Sequence, residues 1–159
     1  MKITILAVGK IKEAFYRDAI AEYVKRLGRY AKLEILETSD EKTPDDASET
    51  ETKRILELEG ERLLKHIRAD AYVIALVIQG KMLDSVELSE KIRQLGVGGA
   101  SHIQFVIGGS LGLSEAVRKR ADLQLSFSKM TFPHQLMRVI LLEQIYRSFR
   151  ILRHEPYHK

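Results

Sequence analysis

Apolar and polar positions fall in blocks whose period changes along the chain. Ile3 to Val8 is short and continuously apolar, which predicts a buried strand, and Gly9 ends it. From Ile11 to Arg29 the residues Phe15, Ala19, Ile20, Tyr23, Val24 and Leu27 return at helical spacing, with Gly28 at a C-cap position. Lys32 to Glu37 alternates, as a second strand would. Thr38 to Ala47 is a polar turn region containing Pro44. Ser48 with Glu51 has capping-box spacing and opens a second helix, through Ile55, Leu58, Leu63 and Leu64 to about Ile67. Ala71 to Ile78 is unbroken and apolar, a central strand covered on both faces and stopped by Gln79-Gly80-Lys81.

Asp84 or Ser85 caps a third helix, which runs to about Leu95, and Gly96, Gly98 and Gly99 form a turn. Ile103 to Ile107 predicts another buried strand. Ser114 caps a short helix with Val117 on its inner face, and Leu123 to Phe127 is a last short strand. Pro133 suits the first turn of a long helix to about Arg153, with Thr131 as its cap. The order β-α-β-α-β-α-β-α-β-α predicts an α/β fold with a mostly parallel sheet. No repeat or linker interrupts it, and 159 residues suit one domain, 1–159.

Composition narrows the class. With 45% hydrophobic and 30% charged residues, the chain can build a core and stay soluble. There is no cysteine, which excludes disulfides, a thiol nucleophile and a thiolate-bound metal. No stretch has membrane-spanning length, and the short apolar start breaks at Gly9-Lys10, so a cytoplasmic protein is expected. The net charge of +4 is unevenly spread. Glu34 to Leu63 is strongly acidic. From Val117 onward Arg118, Lys119, Arg120, Lys129, Arg138, Arg147, Arg150, Arg153 and Lys159 outnumber the acids. Such clustering is a footprint for a polyanion or simply a solvated face.

In an open parallel sheet ligands bind beyond the carboxyl ends of the strands. Three strand ends carry unusual residues: Leu76 to Gly80, Gly108 to Gly112, and Phe127 to Phe132. The glycines of Gly108-Gly109-Ser110-Leu111-Gly112 let a ligand approach the backbone, or make a plain tight turn. They lack the Lys-Ser/Thr of a P-loop, and the first strand lacks a dinucleotide fingerprint. Pro133 pins a hydroxyl-rich loop, Ser126 to Thr131, whose main chain can bond a flat heterocycle beside Phe127, Met130 and Phe132. His134 and Arg138 are four apart and share a helix face. As a lone residue, His134 would be a polar surface position. The final helix is apolar nearly all round, so it either threads the molecule or is covered by a second subunit; a homodimer is expected.

FVIGGSLGL, LSFSKMTFPHQLMRVILLEQIYRSFRI and the end EPYHK, with MKITILAVGK and VIQGK, resemble the ribosomal large-subunit pseudouridine methyltransferase H family of SPOUT methyltransferases. The resemblance spans the whole chain. It implies an α/β knot with a C-terminal trefoil, which departs from the usual unknotted connections. It also implies S-adenosylmethionine bound by Leu76, Gly108 and the loop Phe127, Ser128, Lys129, Met130, Thr131 and Phe132, with no metal. The implied enzyme is a homodimer whose site draws on both subunits. Its implied substrate is N3 of a pseudouridine in large-subunit (23S) ribosomal RNA within the 70S ribosome.

An already activated sulfonium methyl leaves the enzyme two tasks, alignment and removal of the N3 proton. Alignment alone is worth roughly 7–11 kcal/mol. Candidate catalytic groups are His134, Tyr157 and His158, with Arg138, Arg147 or Arg150 holding phosphate or developing negative charge. Glu143 is expected to pair with Arg147 four residues on. Two other classes stay open on the residues alone: a nucleotide-binding α/β protein, and a ribosome-binding dimer without catalysis.

Overall fold

The computed structural model describes all of residues 1–159. Its elements are β1 (Lys2–Val8), α1 (Ala14–Leu27), β2 (Lys32–Thr38), α2 (Glu49–Leu64), β3 (Tyr72–Met82), α3 (Ser85–Val97), β4 (His102–Ile107), α4 (Glu115–Arg120), β5 (Leu123–Ser126) and α5 (His134–Leu152). The five strands form one sheet in the order β2-β1-β4-β3-β5, and every neighbouring pair is parallel. All carboxyl ends therefore share one edge.

Alternation along the strands sorts the core into two layers. Ile3, Ile5 and Ala7 of β1 face α1, α3 and α5, together with Ile74 and Phe105. Leu6 and Val8 face the other way, with Val73, Ala75 and Val106, against Leu63 of α2 and Val117 of α4. Because both faces are covered, β1, β3 and β4 read as continuous apolar runs rather than as alternation. Some of the polar groups inside are paired across elements. The Gln104 amide donates to the His66 carbonyl and accepts the Arg68 N–H, closing the turn between α2 and β3.

The structure departs from the sequence pattern at several points. Gln79-Gly80-Lys81 does not end β3. The strand pairs with β5 up to Leu76, bulges, and pairs again from Lys81. Gly80 permits this, because a Cβ there would lie 2.7 Å from the carbonyl carbon of Gln124. Ser48 accepts the Glu51 N–H but the reciprocal bond is missing, whereas Asp84 and Glu87 complete a full capping box. Thr131 does not cap α5. Pro133 is itself extended, so the helix begins at His134, beyond the reach of Thr131. The apolar α5 is also hemmed between α1 and α3, and none of its residues is exposed. One side of the helix is thus covered within the chain, while Leu136, Met137, Val139 and Ile140 stay half-buried. No helix is long and apolar enough to cross a membrane.

Glu59 of α2 is 4% exposed. One of its oxygens accepts the Glu41 N–H at 2.9 Å, and the other is buried without a partner. Burial pushes its carboxyl above the ordinary carboxylate range, against the effect of that N–H. A raised folded-state value means stability that is present at low pH and lost as pH rises through that value. Glu59→Gln is therefore expected to stabilise the protein at pH 8 by about 1 kcal/mol, and by less near pH 4. Denaturant midpoints at the two pH values check this; a loss at pH 8 would mean that the fold uses the negative charge.

Candidate active site

The bulge of β3 and the turns after β4 and β5 enclose a cavity of about 870 Å³, within the range of small-molecule sites. These are the three strand ends singled out by sequence. Leu76, Ile107, Leu125, Phe127 and Phe132 give it apolar walls, and Gln79, Ser128, Thr131 and His134 add a few polar groups. Gly108 lies so close to the Gly112 carbonyl that no side chain fits between them, which folds the turn tightly back on itself. The loop after β5 is held by its own hydroxyls. Ser126 donates to the Ser128 carbonyl at 3.1 Å, and the Ser128 hydroxyl accepts the Met130 N–H at 3.0 Å. A small molecule with a flat apolar ring and a few hydrogen-bonding groups suits such walls.

The expected residues divide into three groups. Leu76, Gly108, Phe127, Ser128, Met130, Thr131, Phe132 and His134 all line the cavity. Lys129, in the same loop, is exposed and is not part of the lining. Arg138 lies outside it. Its guanidinium is 2% exposed, pairs with Glu37 of β2 and donates to the Gly9 carbonyl at the end of β1. That bridge ties the first turns of α5 to two strand ends and takes Arg138 away from the cavity. Arg118, which pattern alone left among the general bases, is part of the lining. The only sequence signal for it was its place one turn beyond the Ser114 cap.

His134 sits where the bridge holds it, beside Gly9. Its Nδ1 is buried and has no partner. Burial pushes the imidazole below its ordinary value of 6.5, and the nearby Arg138 charge pushes the same way. His134 is thus neutral at pH 7 with a nitrogen free to accept.

Tyr157 and His158 form a second cluster. After α5, His154 takes a left-handed conformation at φ 55, and the chain turns back along the helix. Tyr157 packs edge-on against Tyr146 with ring centroids 5.0 Å apart. Its hydroxyl donates to Glu143 at 3.2 Å. Glu143 also pairs with Arg147, as the four-residue spacing suggested. Arg147 in turn lies 3.1 Å from His158 Nδ1. Since guanidinium can only donate, that nitrogen accepts, and a neutral His158 carries its proton on Nε2. Burial, then the Glu143 charge, raises the Tyr157 phenol above 10, so it is a donor at neutral pH. Nine helical residues separate His134 from Glu143, about 14 Å along the axis and half a turn around it. One chain therefore does not bring His134 and the tail cluster together. No group of His, Asp and Glu side chains is arranged to hold a metal ion.

The chain matches the family model described as "Predicted SPOUT methyltransferase" over residues 1–158. It is 65% identical to the Ribosomal RNA large subunit methyltransferase H of Bifidobacterium adolescentis, and 62% identical to the protein of that name from Bifidobacterium animalis subsp. lactis. Both alignments cover the whole of both chains. Among solved structures it resembles one from Haemophilus influenzae Rd KW20, described as a probable methylase family protein. That match has a TM-score of 0.54 at 15% identity and covers 99% of this chain and 70% of the other. At that identity the likeness speaks for the fold alone.

The Arg138 bridge makes a separable prediction. Arg138→Met strands Glu37 and the Gly9 carbonyl and is expected to cost about 2–4 kcal/mol. Glu37→Gln should cost at least as much, because it leaves the 2% exposed guanidinium without its counter-charge. Denaturant unfolding measures both. An Arg138→Met protein of normal stability that has lost its activity would place the guanidinium on substrate instead.

Proposed function

The chain belongs to the SPOUT methyltransferase family, and we propose that it is the ribosomal RNA methyltransferase that acts on N3 of a pseudouridine in large-subunit RNA of the assembled 70S ribosome. The observation that carries this reading is the convergence of Leu76, Gly108 and the Phe127–Phe132 loop on one cavity, in a chain aligned end to end with ribosomal RNA methyltransferases. The same reading takes residues 1–159 as one cytoplasmic domain with the family's C-terminal trefoil knot. S-adenosylmethionine fits the cavity on this chain's own terms. Its walls are apolar, the Gly108 turn leaves backbone without side chains, and His134 brings an unpartnered nitrogen. Leu76, Gly108 and the loop would hold it, with Lys129 contributing main chain and its ammonium left in solvent. When bound, it supplies an electrophilic methyl group.

The residues of the chain divide the remaining work. Neutral His134, on the cavity wall, has one ring nitrogen suited to take the N3 proton. Arg147 and His158 keep N–H groups suited to a carbonyl oxygen or phosphate of the target nucleotide and to the negative charge that grows on the ring as N3 loses its proton; the Tyr157 O–H joins them only on leaving Glu143. Because these two sets lie on opposite sides of α5, we assign a complete site to two copies of the chain, each supplying one set. Ile78 and Met130 at the cavity are both exposed apolar side chains, which such a contact would cover.

Transfer of labelled methyl from S-adenosylmethionine to 70S ribosomes is the direct test. Incorporation should occur with ribosomes that contain the pseudouridine and be absent when it is missing; equal incorporation into both would reject N3 of that base. Rate against pH should be flat at pH 7 and fall on the acid side below 6.5, where His134 takes a proton. His134→Gln should lower the rate by about 10²–10⁴-fold and abolish that limb. Mixing His134→Gln chains with Tyr157→Phe/His158→Gln chains should restore up to about a quarter of the activity, since half the dimers are mixed and each holds one intact site. Failure of the mixture to restore activity would put both sets in one subunit.

A further inference from the structure

A second polyanion-binding feature lies at the far end of α5. Arg29 at the end of α1 and Arg153 at the end of α5 both lie over the Tyr30 ring, with guanidinium carbons 5.0 and 4.9 Å from its centroid. Tyr30 is itself stacked on Phe149, with centroids 5.6 Å apart and planes inclined by 8°. The Tyr30 hydroxyl donates to Glu155 at 2.8 Å. Glu155 is the one carboxylate at this spot, and it is already taken by Arg150. Arg29 approaches it only at 3.8 Å, and Arg153 has no acidic partner. The nearest acid on α1, Glu22, is paired with Arg26. Three guanidinium groups thus meet one carboxylate, and two of them are exposed.

The manner of holding matters as much as the charge. Ring contact fixes a guanidinium plane without using its N–H groups. Arg29 and Arg153 make no side-chain hydrogen bond within the standard distance, so their donor forks are preorganised and unspent. Two forks held at one ring fit adjacent anionic oxygens better than a single acidic side chain. The cluster also runs on into the tail. Arg150 bonds the Pro156 carbonyl and lies over the rings of Tyr146 and Tyr157; the Tyr157 ring also carries Arg147, which contacts His158.

We propose that Arg29 and Arg153, mounted on Tyr30, form a clamp for the phosphodiester backbone of RNA flanking the target nucleotide. This rests on the reading of the protein as a ribosomal RNA methyltransferase. The clamp reads no bases; it sets position and orientation on the RNA, and its contribution is salt-dependent.

The test compares wild type with Arg29→Gln/Arg153→Gln in binding to 70S ribosomes between 50 and 200 mM salt. Loss of two phosphate contacts should flatten the slope of log affinity against log salt by about 1.5. The KM for ribosomes should rise about tenfold, with kcat within about twofold. The thermal shift given by S-adenosylhomocysteine should not change. Arg29→Lys/Arg153→Lys should keep the slope. Unchanged slope and KM in the Gln variant would overturn the clamp, as would a lost S-adenosylhomocysteine shift or a changed oligomeric state, which would make the cluster structural. If wild type binds ribosomes but transfers no methyl group, the proposed activity fails, while a slope difference between the two proteins would still uphold the clamp.

Discussion

The backbone of Gln124 leaves no room for a side chain at residue 80. That steric constraint underlies the cavity. To stay hydrogen-bonded to β5 on both sides of the bulge, β3 must pass against it with nothing in between, and only glycine allows so close an approach. The four residues displaced there, Val77 to Gly80, are pushed out of the ladder, and three of them become cavity wall. The same logic acts across the cavity, where Gly108 folds onto Gly112. Two contacts of main chain on main chain therefore shape a site whose walls are otherwise ordinary apolar side chains. An all-parallel sheet supplies the rest, since it delivers every strand end to one edge.

Within that frame, charge decides position rather than contact. A buried arginine is costly unless its donors are met. Arg138 offsets most of that cost with Glu37 and the Gly9 carbonyl, at the ends of two strands, and leaves its Nε–H unmet. The bond network is thereby also a ruler: it fixes the start of α5 relative to β1, and so places His134 beside Gly9. The cation that holds the histidine in place also helps to keep it neutral. A group valued at first for its charge toward a ligand thus acts through its neighbour, by geometry and by field.

Much of this was legible before any coordinates. The strands with two covered faces, the Ser114 cap, the Glu143–Arg147 pair and the three strand ends that line the cavity all follow from period and residue type. What escaped depends on partners far away in sequence. Gly80 reads locally as a strand breaker, because nothing near it reveals β5. Arg138 reads as a free cation beside His134, because Glu37 lies 101 positions away. The α5 pattern does not tell which of its apolar positions α1 and α3 cover, because both helices are invisible to a helical wheel. Arg29 and Arg153 look like two bases among many until Tyr30 joins them.

The two ends of α5 carry different chemistry, and the helix itself keeps them apart. At its start a neutral imidazole faces a cavity fit for a small apolar ligand. Toward its end, donors and cations gather on a cluster of aromatic rings, where an anionic polymer suits them. A rigid rod of helix cannot bend one set onto the other within a chain of this size. If both serve one reaction, the economical arrangement is a pair of chains laid so that the tail of each reaches the cavity of its partner. On that arrangement the placement of groups along one helix would itself be a reason for the chain to pair.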